Sequence, residues 1–285
     1  MELPYLQFFA LKDEPFSTVP SPRTVFLTSV HSTALEKTAY VVGAKKGLAV
    51  VFGDTGTGKS SLGRLLHQKF LDNDFLSVLL TNPNYPTPNS LLRTIAQEFG
   101  TERTDKSFKG MLDIFKAFLY QKAFEEKKTV VLIIDEAQTL KMPGIELLRQ
   151  LSNYETNSEK LIQLVMLAQD DLRARLAHPR GRSFRSRIVM ASTLEALSAR
   201  ETERMIDFRW NVASGGEAHP FSPDALRAIF EHSQGVPREA CIIADNSLLL
   251  AYYQRKSRID KDLVQEVVAD RRSALKLKDD TDGKD

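Results

Sequence analysis

Residues 48–60 read Leu-Ala-Val-Val-Phe-Gly-Asp-Thr-Gly-Thr-Gly-Lys-Ser, an apolar run that stops at Gly53 and hands over to G-x-x-x-x-G-K-[ST] with every defined position filled. The run Leu48 to Phe52 has the length and composition of a short buried strand, and Lys59 to Phe70 has helical spacing. Chemistry explains the order between them. Glycines let backbone N–H groups turn inward around phosphate oxygens, Lys59 reaches the β and γ phosphates, and the Ser60 hydroxyl is placed to ligate Mg²⁺. The helix that follows points its positive end at the same anions. The expected nucleotide-binding set is therefore Gly53, Asp54, Thr55, Gly56, Thr57, Gly58, Lys59, Ser60 and Ser61.

A loop of this kind needs a second acid, at the end of another strand, to hold the metal. Val130-Val-Leu-Ile-Ile-Asp135-Glu136 supplies it, an unbroken β-branched and leucine run as expected for a strand covered on both faces. Asp135 is expected to orient a Mg²⁺-bound water, and Glu136 to polarise the attacking water as a general base. A glutamate in that position, rather than the glutamine of signalling GTPases, favours ATP as the nucleotide.

Working outward, strand and helix signals alternate. Phe75 to Leu80, Leu161 to Ala168 and Arg187 to Ala191 read as further strands. Helical stretches are expected over His31–Val42, Asn89–Phe99, about Ser107–Glu126, around Ile145–Leu151 and Asp170–Ala177. This alternation predicts an α/β three-layer sandwich around a parallel sheet. After Leu194 the strand signals stop. Ser198 with Glu201 three residues on forms a capping box opening a helix to Trp210, and Pro223–His232, Pro237–Tyr253 and Asp260–Arg272 read as three more. The expected division is a leading segment over 1–46 packing on the core, a nucleotide-binding domain over 47–196, a small all-helical lid over 197–272 and a charged tail over 273–285 that frays.

Three further features carry chemistry. Gln169 ends the strand Leu161 to Ala168, where a polar side chain can sense the γ-phosphate or position the attacking water. Arg173, Arg175, Arg180, Arg182, Arg185 and Arg187 form a dense basic run that can enter a neighbouring subunit's site as an arginine finger or contact a polyanion; Arg185 and Arg187 are the finger candidates. Gly235-Val-Pro-Arg238 opens a lid helix, and Arg238 in its first turn can close on the γ-phosphate. The aromatic stretch Tyr5 to Phe16 either pads an adenine pocket or staples the leading segment onto the core.

Composition bounds the rest. A chain of 285 residues with 42% hydrophobic residues, 14 Gly and 12 Pro can bury a core and is neither fibrous nor disordered. The 39 basic and 37 acidic residues leave a net charge of +2, without the strong overall basic excess of many nucleic-acid binders. One cysteine, Cys241, excludes an internal disulfide, and the five histidines lack metal-ligand spacing, so zinc is not expected. With no signal-peptide pattern and no apolar run long enough to span a bilayer, the expectation is a cytoplasmic protein without direct membrane insertion.

On these residues the chain resembles the AAA+ ATPases, and one bacterial branch of them. That branch holds the ATPase of general secretion pathway protein A and the transposon-encoded ATPases that regulate target selection. The resemblance is carried by Phe8-Phe9-Ala-Leu-Lys, Pro15-Phe16, Pro20, Pro22-Arg23 and His31, by the phosphate loop and Asp135-Glu136-Ala137-Gln138, and by Leu148-Arg-Gln-Leu-Ser-Asn153, Gln169, Arg185 to Ile188 and Gly235-Val-Pro-Arg238. It implies that the Gln169 strand lies between those of the phosphate loop and Asp135. It also implies a helical lid and a ring or filament assembled through nucleotide sites. Gln169 then looks like a first sensor and Arg238 a second, with an arginine from 182–187 acting on the neighbouring subunit. The secretion proteins carry a transmembrane helix and a wall-binding region after the lid, whereas this chain stops soon after it. The expectation is therefore an oligomeric, Mg²⁺·ATP-driven switch on double-stranded DNA that activates a transposase; the alternative is a secretion assembly factor acting with a membrane component.

Overall fold

The computed structural model describes residues 3–19, 22–157 and 159–275. Pro20 and the charged tail from 276 onward lie outside the described residues. The chain divides into two compact units, Leu27–Glu195, and Met1–Phe26 together with Ala196–Asp285. The leading segment, read from the sequence as one piece over 1–46, is thus shared: a short helix α1 (Pro4–Phe8) belongs to the second unit and α2 (Ser29–Gly43) to the first.

The first unit is an α/β sandwich. Its strands are β1 (Leu48–Gly53), β2 (Leu76–Leu80), β3 (Val130–Ile134), β4 (Gln163–Ala168) and β5 (Ile188–Leu194). They lie in the order β2-β3-β4-β1-β5 with every pairing parallel. The helices between them are α3 (Lys59–Asp72), α4 (Pro88–Glu98), α5 (Phe108–Tyr120), α6 (Met142–Leu151), α7 (Asp170–Ala177) and α8 (Arg182–Arg185). β1, β3 and β4 are buried at every position because helices cover both faces. Alternate side chains serve the two cores. Val131 and Ile133 pack with Val51, Leu62, Leu66 and Phe70 on the face of α2 and α3. Val130, Leu132 and Ile134 pack with residues such as Leu92, Phe115 and Leu148 on the face of α4, α5 and α6. Each such side chain contributes about 1.5–3 kcal/mol on burial.

This topology creates the site. The chain leaves β1 into α3, whose Leu62 and Leu66 lie on one face of the sheet, and leaves the adjacent β4 into α7, whose Leu172 and Leu176 lie on the other. Neighbouring parallel strands whose exits diverge open a crevice at their carboxyl ends, where ligands of open α/β sheets bind.

The second unit consists of α1 with α9 (Ala199–Ser214), α10 (Pro223–Ser233), α11 (Pro237–Tyr253) and α12 (Lys261–Leu275). The capping box forms as expected: Ser198 Oγ accepts from Glu201 N at 3.3 Å, and Glu201 Oε2 accepts from Ser198 N at 2.9 Å. Tyr5 and Phe16 are buried among Trp210, Phe221, Ile229, Leu248 and Val264, so these aromatics are core residues of the helical unit. The Tyr5 hydroxyl donates to Asp245 on α11. Gly235, ahead of α11, has φ +73°, and a Cβ there would lie 1.9 Å from the Leu197 carbonyl oxygen, while its own carbonyl accepts from Leu197 N at 2.8 Å. Only glycine fits that turn.

Candidate functional site

The phosphate loop is a tight structure before any side chain is considered. Thr57 N donates to Asp54 O at 3.3 Å and Thr57 Oγ1 to the same oxygen at 2.8 Å, folding residues 54–57 back on themselves. Gly58 then precedes α3 with φ +102°, a left-handed conformation that favours glycine. No side chain caps α3, so its first-turn N–H groups from Lys59, Ser60 and Ser61 present the positive end of a 14-residue helix. Asp54 and Thr55 are exposed, Gly56, Gly58, Ser60 and Ser61 half-buried, and Gly53 and Thr57 buried.

Lys59 is 5% exposed, and its Nζ donates to Gly53 O at 2.8 Å and Asp54 O at 2.7 Å. An ammonium carries three N–H donors, so the third is left for an anion over the loop. Burial pulls the Lys59 pKa below the ordinary lysine value, opposed by the negative charges of Glu136, Asp135, Asp54 and Asp170.

Asp135 follows β3 and is buried; its Oδ1 accepts from Glu136 N at 2.9 Å. Glu136 adopts φ +53°, which re-aims its side chain out of the strand direction. Its Oε2 accepts from Gln138 Nε2, and from Gln169 Nε2 at 3.4 Å. Gln138 Oε1 in turn accepts from Gln169 N at 3.1 Å, joining the ends of β3 and β4. Phe52 pairs with Ala168 and Ile134 with Met166, so Gly53, Gln169 and Asp135 emerge at one sheet edge. At about 4.8 Å per strand, β1 and β3 are roughly 10 Å apart with β4 between them.

Magnesium would suit the donors available here. It prefers a few hard oxygen ligands from protein and takes the rest from phosphate and water. The buried Asp135 carboxylate and the half-buried Ser60 hydroxyl are such oxygens.

The arginine run separates by role. Arg173 stacks 4.4 Å over the Phe52 ring, pairs with Asp170 at 2.9 Å and donates to Thr193 Oγ1 at 3.0 Å. Arg175 donates to Gln138 O at 2.8 Å and Leu140 O at 2.5 Å, bracing the turn after Glu136. Arg185 is exposed but donates to the carbonyls of Leu176 and Ala177 at 3.1 and 3.2 Å, capping α7. Arg182 and Arg187 are exposed. In the helical unit Arg238 is exposed at the second position of α11.

Two groups that the sequence analysis quoted only as part of the family resemblance, with no role, are brought to the site by the fold. His31, from α2, places Nε2 3.0 Å from Thr57 O. Gln138 lies within the acidic box quoted above, yet its link to Glu136 depends on a turn at 137–139 that no periodicity reveals.

A phosphate-binding loop on β1, an acid pair on β3 and a polar residue ending the intervening strand define a P-loop nucleotide-binding domain of the AAA type. Residues 43–176 match the family described as AAA domain. The chain is 34% identical over 258 residues to general secretion pathway protein A of Aeromonas hydrophila, a match that covers 90% of this chain and 46% of that protein. The chain thus spans about half the length of this relative. Among solved structures it is similar to the Aeropyrum pernix ORC2 protein with ADPNP and ADP, at a TM-score of 0.69, 18% identity, and coverage of 91% of this chain and 72% of that one. It is also similar to the Aeropyrum pernix ORC1 protein in complex with DNA, at a TM-score of 0.67, 17% identity, and coverage of 95% and 71%. Residues 43–176 thus form an AAA domain, and over most of its length the chain is similar to general secretion pathway protein A.

Proposed function

We propose that the protein binds and hydrolyses Mg²⁺·ATP and acts as an oligomeric nucleotide-dependent switch in the cytoplasm. The observation that carries this reading is the shared carboxyl end of the sheet, where Gly53, Gln169 and Asp135 emerge from β1, β4 and β3. In it, the N–H groups of Gly53 to Ser61 and the Lys59 ammonium bind the phosphates, and Ser60 and Asp135 hold the metal. Bound magnesium would neutralise charge on the β and γ phosphates. Glu136, steadied by Gln138 and Gln169, takes a proton from the attacking water at its carboxylate. Gln169 senses the γ-phosphate, and Arg238, exposed at the second position of α11, is the candidate second sensor. Arg187, exposed just ahead of β5, serves as the finger toward a second copy, with Arg185 the other candidate. Steady-state ATPase assays on wild type and Glu136→Gln test the reading. The variant is expected to bind ATP and turn over about 100-fold more slowly or less; equal rates would remove Glu136 from its role.

For the partner, we propose double-stranded DNA and a transposase that the ATP-bound oligomer activates. The exposed Arg182, Arg185 and Arg187 support this, as does the likeness to an ORC1 protein solved with DNA. It predicts ATP-analogue-dependent gel shifts that weaken as salt rises, and no shift at low salt would end it. A second reading, an assembly factor acting with a membrane-embedded secretion component, is favoured by the 34% identity to general secretion pathway protein A. No helix of the described residues is long and apolar enough to cross a membrane. Co-purification with an inner-membrane protein would support the second reading.

A further inference from the structure

His31 is buried, 4% exposed, on the first turn of α2, and both ring nitrogens are engaged. Nε2 lies 3.0 Å from Thr57 O and Nδ1 lies 2.8 Å from Thr28 Oγ1. A carbonyl oxygen only accepts, so Nε2 carries a proton and donates to Thr57 O. In the neutral ring Nδ1 is then an acceptor and the Thr28 hydroxyl donates to it. Thr28 is also the N-cap of α2, accepting from His31 N at 3.4 Å, so the imidazole is held from its own helix.

We propose that His31 is a positioning residue for nucleotide binding, which aims the Gly58 N–H into the phosphate cradle. The proposal rests on the reading that residues 53–61 bind phosphate, and adds who orients them. The reason is the planarity of the trans peptide. The Thr57 carbonyl and the Gly58 N–H belong to one peptide unit and point in opposite directions. Drawing the Thr57 oxygen toward α2 therefore turns the Gly58 N–H the other way, toward the inside of the loop. The turn from Asp54 to Thr57 does not determine this peptide, because both its bonds are donated by Thr57 itself, from N and Oγ1. A Cβ at position 58 would sit 3.1 Å from His31 Nε2, so the glycine serves the imidazole as well as the positive φ.

The test compares His31→Leu, which keeps the bulk, with His31→Gln, whose amide nitrogen can reach the Nε2 position. Affinity for Mg²⁺·ADP is measured by calorimetry, the Gly58 amide is followed in ¹H–¹⁵N spectra, and thermal midpoints are recorded alongside. We expect His31→Leu to bind about 3- to 10-fold more weakly, as for loss of one hydrogen bond. We expect His31→Gln to bind within about twofold of wild type and to restore the ligand-induced Gly58 shift. A folded His31→Leu protein with wild-type affinity, or equal weakening in both variants, would overturn the proposal. Thr28→Val, which frees Nδ1 while leaving the imidazole in place, is a gentler second variant. It is expected to weaken binding by a smaller factor, and wild-type affinity together with an unchanged Gly58 shift would count against the proposal. Wild-type protein that binds no Mg²⁺·ADP would instead defeat the phosphate-loop reading itself, before any variant is compared.

Discussion

Glu136 combines an uncommon backbone with a restrained side chain. Its φ of +53° is costly for a residue with a Cβ, of order 1 kcal/mol or more, and persists only where surroundings impose it. Those surroundings are visible: its carbonyl accepts from Thr139 N at 2.9 Å and from Thr139 Oγ1 at 2.9 Å, and Arg175 braces the next turn from outside. The carboxylate is held by Gln138 and Gln169. If Glu136 is the general base, its supporting amides control its aim rather than its affinity for substrate. Gln138→Leu is therefore expected to lower kcat roughly tenfold with KM for ATP changed by less than about twofold. An unchanged kcat would show that Gln138 does not position the base.

At the scale of elements, the second unit shows which local signals suffice. The Ser198–Glu201 box closes both of its hydrogen bonds, and Ser198→Ala is expected to destabilise the helical unit by about 1 kcal/mol in chemical unfolding. A loss below about 0.3 kcal/mol would show that packing alone holds α9. Much of the fold was legible for the same reason. Val130–Ile134 and Asp170–Ala177 have the bounds expected from the sequence, and Pro237 occupies a first-turn position. The strand order implied by the family resemblance, with β4 between β1 and β3, is the order observed. What escaped was decided by distant partners. α6 begins at Met142 rather than near Ile145, because Pro143 and Gly144 read as breakers although proline is well tolerated in a first turn. β5 runs on to Leu194, because pairing with β1 carries it three residues past its apolar run. The helix α1 is five residues long, too short for any periodicity to mark it. In the candidate site the loop and acid motifs were readable because their chemistry is local. The roles of His31 and Gln138, quoted only within the resemblance, were not, since each acts through a contact that exists only once the chain has folded.

At the scale of the whole molecule, the chain passes between its two units at Phe26/Leu27 and again at Glu195/Ala196. Both crossings abut residues of the candidate site: Thr28 anchors His31, and Leu194 pairs in register with Gly53. The N-terminal aromatics pack within the helical unit, which sequence proximity to α2 could not foretell. That unit also holds a half-buried carboxyl, Asp245. Burial lifts the Asp245 carboxyl above its ordinary range despite the Tyr5 hydrogen bond, and burial together with Asp245 lifts Glu14. A carboxyl with a raised folded-state pKa binds more protons when folded than when unfolded, so its contribution to stability falls as pH rises from the ordinary carboxylate value through the raised one. Asp245→Asn keeps an acceptor for Tyr5, and is expected to flatten this fall and raise the thermal midpoint at neutral pH; a lower midpoint with unchanged pH dependence would refute it. The account as a whole depends on a phosphate loop and an acid from another strand serving one metal–nucleotide cluster. The most direct test is the affinity of a fluorescent ATP analogue for wild type and Asp135→Asn, each with magnesium and with chelator. The prediction is that magnesium tightens binding by the wild type and gives the variant little or no gain, while the two proteins bind alike in chelator. Equal magnesium enhancement in both proteins, or no nucleotide binding by the wild type, would contradict it.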